Sequence, residues 1–80
     1  MDNKASAETP LFIGQLIEDE LRRQERSVTW LSRKIHCDRR NVYDIFGRAD
    51  IDTNLLYRIS VALHTDFFKF YSKSLLTTDV

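Results

Sequence analysis

Capping residues recur along this chain at intervals that leave room only for brief helices. Ser27, Asp38 and Asp52, and then Thr65 or Asp66, each carry a side-chain oxygen that can accept from an unpaired N–H at a helix start. Behind each cap lie apolar residues at helical spacing. The sets are Val28, Leu31 and Ile35; Val42, Ile45 and Phe46; Leu55, Leu56, Ile59, Ala62 and Leu63; and the aromatic run Phe67, Phe68, Phe70 and Tyr71. An earlier helix is predicted to start at Thr9-Pro10, where Thr caps and Pro takes the first helical position without losing a hydrogen bond. It carries Phe12, Ile13, Leu16, Ile17 and Leu21, with Arg22-Arg23-Gln24 at the negative end of its dipole. Gly47 is read as the stop of the third helix, through a left-handed turn. No stretch alternates apolar and polar residues over a strand's length. The expected fold is all-α, a compact bundle of five short helices. Residues 1–8 are read as a flexible N-terminal segment, 9–74 as the domain and 75–80 as a tail.

A chain of 80 residues has room for one domain, and 42% hydrophobic residues suffice for a core. One cysteine excludes an intramolecular disulfide and a multi-cysteine zinc site, and fits a reducing cytoplasm. No apolar run approaches the roughly 20 residues of a membrane span, and the acidic start does not read as a signal peptide. A cytoplasmic protein with no membrane partner is expected. The 12 basic and 12 acidic residues cancel, which taken alone argues against a nucleic-acid partner. Their distribution reverses that inference. Residues 1–21 carry a net −4, residues 22–48 a net +5 and residues 49–80 a net −1. Fields act locally, over a Debye length of about 8 Å at physiological salt. A +5 block can therefore meet phosphates whatever the total.

That block coincides with the second and third helices. Between Ile35 and Asp38 lie only His36 and Cys37, room for a sharp turn and nothing more. Two short helices so joined, the second opening on basic residues, read as a helix-turn-helix unit over 27–47. With Val42, Ile45 and Phe46 inward, Arg40, Asp44 and Gly47 point outward at 100° per residue, flanked by Arg39 and Tyr43 on one side and Asn41 and Arg48 on the other. Arg suits guanine and Asn suits adenine through paired hydrogen bonds in the major groove. The candidate base contacts are Arg39, Arg40, Asn41, Tyr43 and Asp44, and the candidate phosphate contacts are Arg33, Lys34 and Arg48. Asp44 has two readings: it accepts from cytosine, or it orients Arg40 as an i, i+4 partner.

From Ile13 to Asp66 the sequence resembles the phage Cro and lambda-repressor-like helix-turn-helix domains, also called XRE type. The frame is Ser27-Val-Thr-Trp-Leu31-Ser32-Arg-Lys-Ile35-His36-Cys37-Asp38-Arg39-Arg40-Asn41-Val42-Tyr-Asp-Ile45. Leu31-Ser32, Ile35, Cys37, Val42 and Ile45 fall on that family's core positions, and Leu55, Leu56, Ile59 and Ala62-Leu63 resemble its following helix. The resemblance implies a five-helix lambda-repressor-like bundle. It also implies a homodimeric transcriptional regulator that inserts helix three, about 38–46, into the major groove of double-stranded DNA. The sequence departs from the family pattern in several places. Val28 stands where Gln is common, and Ser32 where Ala is usual, so its hydroxyl needs a backbone partner. Phe46 replaces an acidic residue, and Gly47 comes one place early, with Arg48 where relatives have Gly.

His36, Cys37 and His64 are too few and too poorly spaced for a metal site, and no Gly-rich phosphate loop is present. No catalysis, cofactor or small-molecule ligand is expected. Trp30 is read as partly buried beside Leu31, the alternative being stacking on a sugar. Phe67, Phe68, Phe70 and Tyr71 cannot all lie on one narrow stripe. With Leu75 they are candidates for a homodimer interface, the alternative being that they close the core of a monomer. A second functional reading follows from them: a non-catalytic protein-interaction module that binds a partner through its aromatic C-terminal segment.

Overall fold

The computed structural model describes residues 11–77, and these form five helices and no strand, in agreement with the all-α expectation. We label them α1 (Ile13–Arg23), α2 (Val28–Lys34), α3 (Arg39–Phe46), α4 (Thr53–Leu63) and α5 (Phe68–Thr77). The caps form as the sequence predicts. Ser27 Oγ accepts from the Trp30 N–H at 3.0 Å, Asp38 from Asn41 at 3.1 Å and Asp52 from Leu55 at 2.7 Å. Each satisfies a donor that the helix itself leaves open, worth about 1 kcal/mol. At α5 the acceptor is Asp66, which takes the Phe68 N–H at 3.1 Å.

Three local expectations change. α1 begins at Ile13 with Phe12 at its cap position, while Thr9, Pro10 and the 1–8 segment lie outside the described residues. α5 runs through Leu75 and Leu76 to Thr77, so the start of the expected tail is helical; residues 78–80 lie outside the described residues. Gly47 does end α3, but with φ −90°. The last turn tightens instead, with Gly47 N–H on the Asp44 carbonyl at 3.1 Å and Arg48 N–H on Ile45 at 3.0 Å. The left-handed residues are Glu25, His36 and His64, which follow α1, α2 and α4 at φ 58°, 58° and 52°.

The core gathers one stripe from each of the first four helices. Ile13, Ile17 and Leu21 of α1 meet Leu31 of α2 and its C-cap Ile35, Val42, Ile45 and Phe46 of α3, Leu56, Ile59 and Leu63 of α4, and Phe67 ahead of α5. α3 packs on α1 and α2, and α4 on α2. Gly14 sets how close α1 and α3 come. A Cβ there would overlap the Ile45 carbonyl oxygen and lie 2.5 Å from that of Phe46. Only glycine admits this approach, and it lets the Ile13 and Gly14 N–H groups donate to Ala49 and Arg48 carbonyls at 3.3 and 3.0 Å. The free start of α1 thereby fixes the segment that leaves α3. Ser32, buried between helices, donates to the Thr29 carbonyl at 2.8 Å, the backbone partner its position requires.

A polar latch joins the ends of α1 and α4. Gln24 donates to Glu20 at 2.6 Å and to the Leu63 carbonyl at 2.8 Å, and the Thr65 hydroxyl donates to the same carbonyl at 2.9 Å. Arg23 donates to Glu20 at 2.9 Å. The bond from Arg23, joined by those from Gln24 and Thr65, holds the Glu20 carboxyl down at about 2 against the opposing effect of burial.

Candidate nucleic-acid interface

α3 divides into two faces. Val42, Ile45 and Phe46 are buried, whereas Arg39, Arg40, Asn41, Tyr43 and Asp44 are all exposed, as is Arg48 beyond the helix. The five candidate base contacts thus share one short helix and its solvent side. Tyr43 lies towards α1, its ring edge-on to Phe46 at 6.0 Å. Asn41, Asp44 and Arg48 lie on the other flank, where they line a groove of about 330 Å³ with Ile35, Cys37, Leu55 and Arg58. Arg58 donates to the Ile35 carbonyl at 2.5 Å, so α4 satisfies a carbonyl at the C-terminal end of α2 and steadies the turn that positions α3.

The +5 block resolves into two groups. Arg22 and Arg23 are engaged by Glu18 and Glu20 of their own helix, which raises both guanidinium pKa values. Arg26, Arg33, Lys34, Arg39, Arg40 and Arg48 form no ion pair among the described residues. None joins Arg40 to Asp44 either, so the i, i+4 reading of Asp44 finds no ion pair here; both side chains are exposed, where such a pair gains little.

The phosphate candidates separate. Arg48 sits beside the α3 flank, while Lys34 lines a different groove with His36 on the α4 side. The Lys34 ammonium stands 5.6 Å from the centre of the Trp30 ring, and the Arg26 guanidinium 4.4 Å from it. Trp30 is partly buried against the core, as expected, and its ring is also a cation platform. Sequence reasoning passed over Arg26 and Arg58. The Arg26–Trp30–Lys34 spacing of four was a legible signal for the first, but nothing local marks the second.

Among the described residues no three His, Cys, Asp or Glu side chains converge. Burial pushes the half-buried Cys37 thiol up, with the Asp38 carboxylate adding to it, which disfavours the thiolate a reactive cysteine needs. No helix among the described residues is long and apolar enough to cross a membrane.

The interface candidates also divide. Phe67 is fully buried and is corrected to a core residue: it precedes α5 and plugs the bundle rather than facing outward. Phe68 and Tyr71 pack half-buried against that core. Phe70 and Leu75 are exposed, Leu75 to 73%, with Leu76 beside it at 83%. Comparison of the chain with protein-family models, curated proteins and solved structures gives no match.

Proposed function

We propose that this chain is a sequence-specific DNA-binding transcriptional regulator of the XRE type, which presents α3 to the major groove as the reading helix of a helix-turn-helix unit. The observation that carries the reading is the composition of the exposed α3 face: Arg39, Arg40, Asn41 and Tyr43 side by side, with neither arginine in an ion pair among the described residues. Arg40 and Asn41 read base edges, and Arg48 and Arg33 meet phosphates. A homodimer on two half-sites about 34 Å apart supplies the length of site that one short helix cannot. Such a regulator works in the cytoplasm and needs no cofactor.

Selection of bound sequences from a random DNA pool tests the reading directly. A single, two-fold-related sequence should emerge, with affinity falling steeply in salt, by roughly 0.9 log units per phosphate neutralised for each log unit of salt. Arg40→Ala should cost about 1–3 kcal/mol at that site and relax the base preference at one position. An Arg39→Ala/Arg40→Ala variant that binds every sequence as the parent does would remove α3 from the role. The exposed Phe70, Leu75 and Leu76 favour a second reading, a protein-interaction module that binds through its C-terminal helix. No mobility shift on mixed genomic DNA at low salt would favour it over the first.

A further inference from the structure

A second surface lies between the turn that follows α2 and the outer side of α4. A groove of about 500 Å³ is lined by Lys34, His36, Tyr57, Arg58, Val61, Ala62 and His64. Two features set it apart from ordinary solvated helix surface. Its lining holds two permanent cations and two histidines and no carboxylate, although the chain as a whole is neutral. Its floor is apolar yet open: Tyr57 is 60% exposed and Val61 56%, one turn apart on α4. Beside Lys34, the Trp30 ring with Arg26 above it continues the same basic and aromatic character. The candidate base-contact residues on α3 contribute nothing to the lining.

We propose that this groove docks an acidic peptide segment of a partner protein, with one or two apolar anchor side chains covering Val61 and Tyr57 while its carboxylates meet Lys34, Arg58 and the histidines. Charge complementarity selects an anionic occupant, because positive groups ringing an apolar floor repel basic surfaces and attract acidic ones. The floor then selects peptide over nucleic acid. A phosphate backbone gains nothing by covering an isopropyl group, whereas an aliphatic or aromatic anchor removes that area from water. Arg58 is shared with the groove on the α3 flank, but the other six lining residues lie off the outer face of α3, so a partner can sit there while α3 is occupied. The inference does not depend on what α3 binds.

Random displayed peptides selected on the immobilised full chain test it, with the Val61→Glu chain for counter-selection. The best peptide is then titrated into isotope-labelled protein and followed by amide shifts. Expected are sequences rich in Asp and Glu around an aliphatic or aromatic residue, with shifts at 34–36 and 57–64. Val61→Glu and Lys34→Glu should each weaken the peptide about tenfold or more, and Arg40→Ala should leave it unchanged. Val61 and Lys34 are exposed, so both variants should keep the parent's amide dispersion; Tyr57→Ala replaces either one that does not. Three results would overturn the proposal. One is no enrichment over the counter-selected chain, or shifts confined to α3 or α5. Another is a single-stranded oligonucleotide that moves the groove amides more than the peptide does, which would make this a nucleic-acid surface. The last is broadening of those amides with protein concentration alone, which would make it an interface between copies of the chain.

Discussion

α1 and α5 both carry several large apolar residues, yet the fold uses them in opposite ways. α1 places Ile13, Ile17 and Leu21 on one stripe and buries all three, together with the backbone of Gly14. α5 has no buried residue among those described, and its anchor, Phe67, precedes it. Phe68, Tyr71 and Leu75 do form a helical stripe, but Leu75 lies beyond the partners that half-cover the first two. Phe70 keeps its ring 6.1 Å from that of Phe67 while remaining partly open to solvent, and Leu76 is the most exposed of the set. Burial therefore depends on whether a stripe has something to face, as much as on whether a helix has one. α1 commits its apolar stripe to the interior, and α5 leaves Phe70, Leu75 and Leu76 exposed.

The largest effect should come from breaking the α1–α3 seam. Gly14→Ala drives a methyl group into the backbone of Ile45 and Phe46, which no side-chain rotation relieves. The two helices must separate, and the loss should reach about 3 kcal/mol or more, read by urea denaturation followed by circular dichroism. Gly47→Ala is the informative control. Its φ is ordinary and an added Cβ meets only the Asp44 carbonyl oxygen at 3.6 Å, so it should be neutral or stabilise by about 0.5 kcal/mol. A matched loss at both glycines would mean that the seam is no tighter than the surface.

The root and the tip of α5 come next. Phe67→Ala opens a cavity in a core with little to spare and should cost about 3 kcal/mol. Leu75→Ala and Leu76→Ala should each stay within about 0.5 kcal/mol at low protein concentration. If the cost of the leucine changes grows with protein concentration, measured as midpoint against dilution, the tip is an interface between copies. A large cost at every concentration would place it inside the monomer fold.

The same contrast shows what the residues disclosed in advance. Caps and inward stripes were legible because each depends on a few neighbours: Ser27, Asp38 and Asp52 find their N–H groups three residues on. The outward set on α3 was legible for the same reason, since fixing Val42, Ile45 and Phe46 inward fixes the remainder. What escaped is set by residues far apart in the chain. Gly14 reads as a weak helix position until Ile45 and Phe46 lie against it, and Arg58 reads as surface until the Ile35 carbonyl faces it. Gly47 misled because glycine is the usual left-handed stop, whereas here Glu25, His36 and His64, after α1, α2 and α4, hold that conformation. Phe67 could not be told from its neighbours, because one residue of register decides which aromatic enters the core.

The smallest effect concerns the latch between the two regions, where Glu20 and Gln24 of α1 meet the Leu63 carbonyl and Thr65, just ahead of α5. Glu20→Gln keeps the shape and removes the charge that Arg23 holds. The carboxyl lies at about 2 in the folded chain against an ordinary 4.5, so folding is favoured by the ionised form. That contribution is complete above pH 4.5 and declines as the pH falls towards 2, because the unfolded chain then takes up a proton that the folded chain does not, until the folded carboxyl protonates as well. Arg23 is largely exposed, which screens the pair and holds the expected loss near 1 kcal/mol. Stability curves of the parent and Glu20→Gln should run parallel from pH 7 to about 4.5 and converge below it. Curves that stay parallel down to pH 2.5 would show that geometry, rather than charge, closes the latch, and that the joint leading to α5 is as insensitive to acid as the apolar seam between α1 and α3.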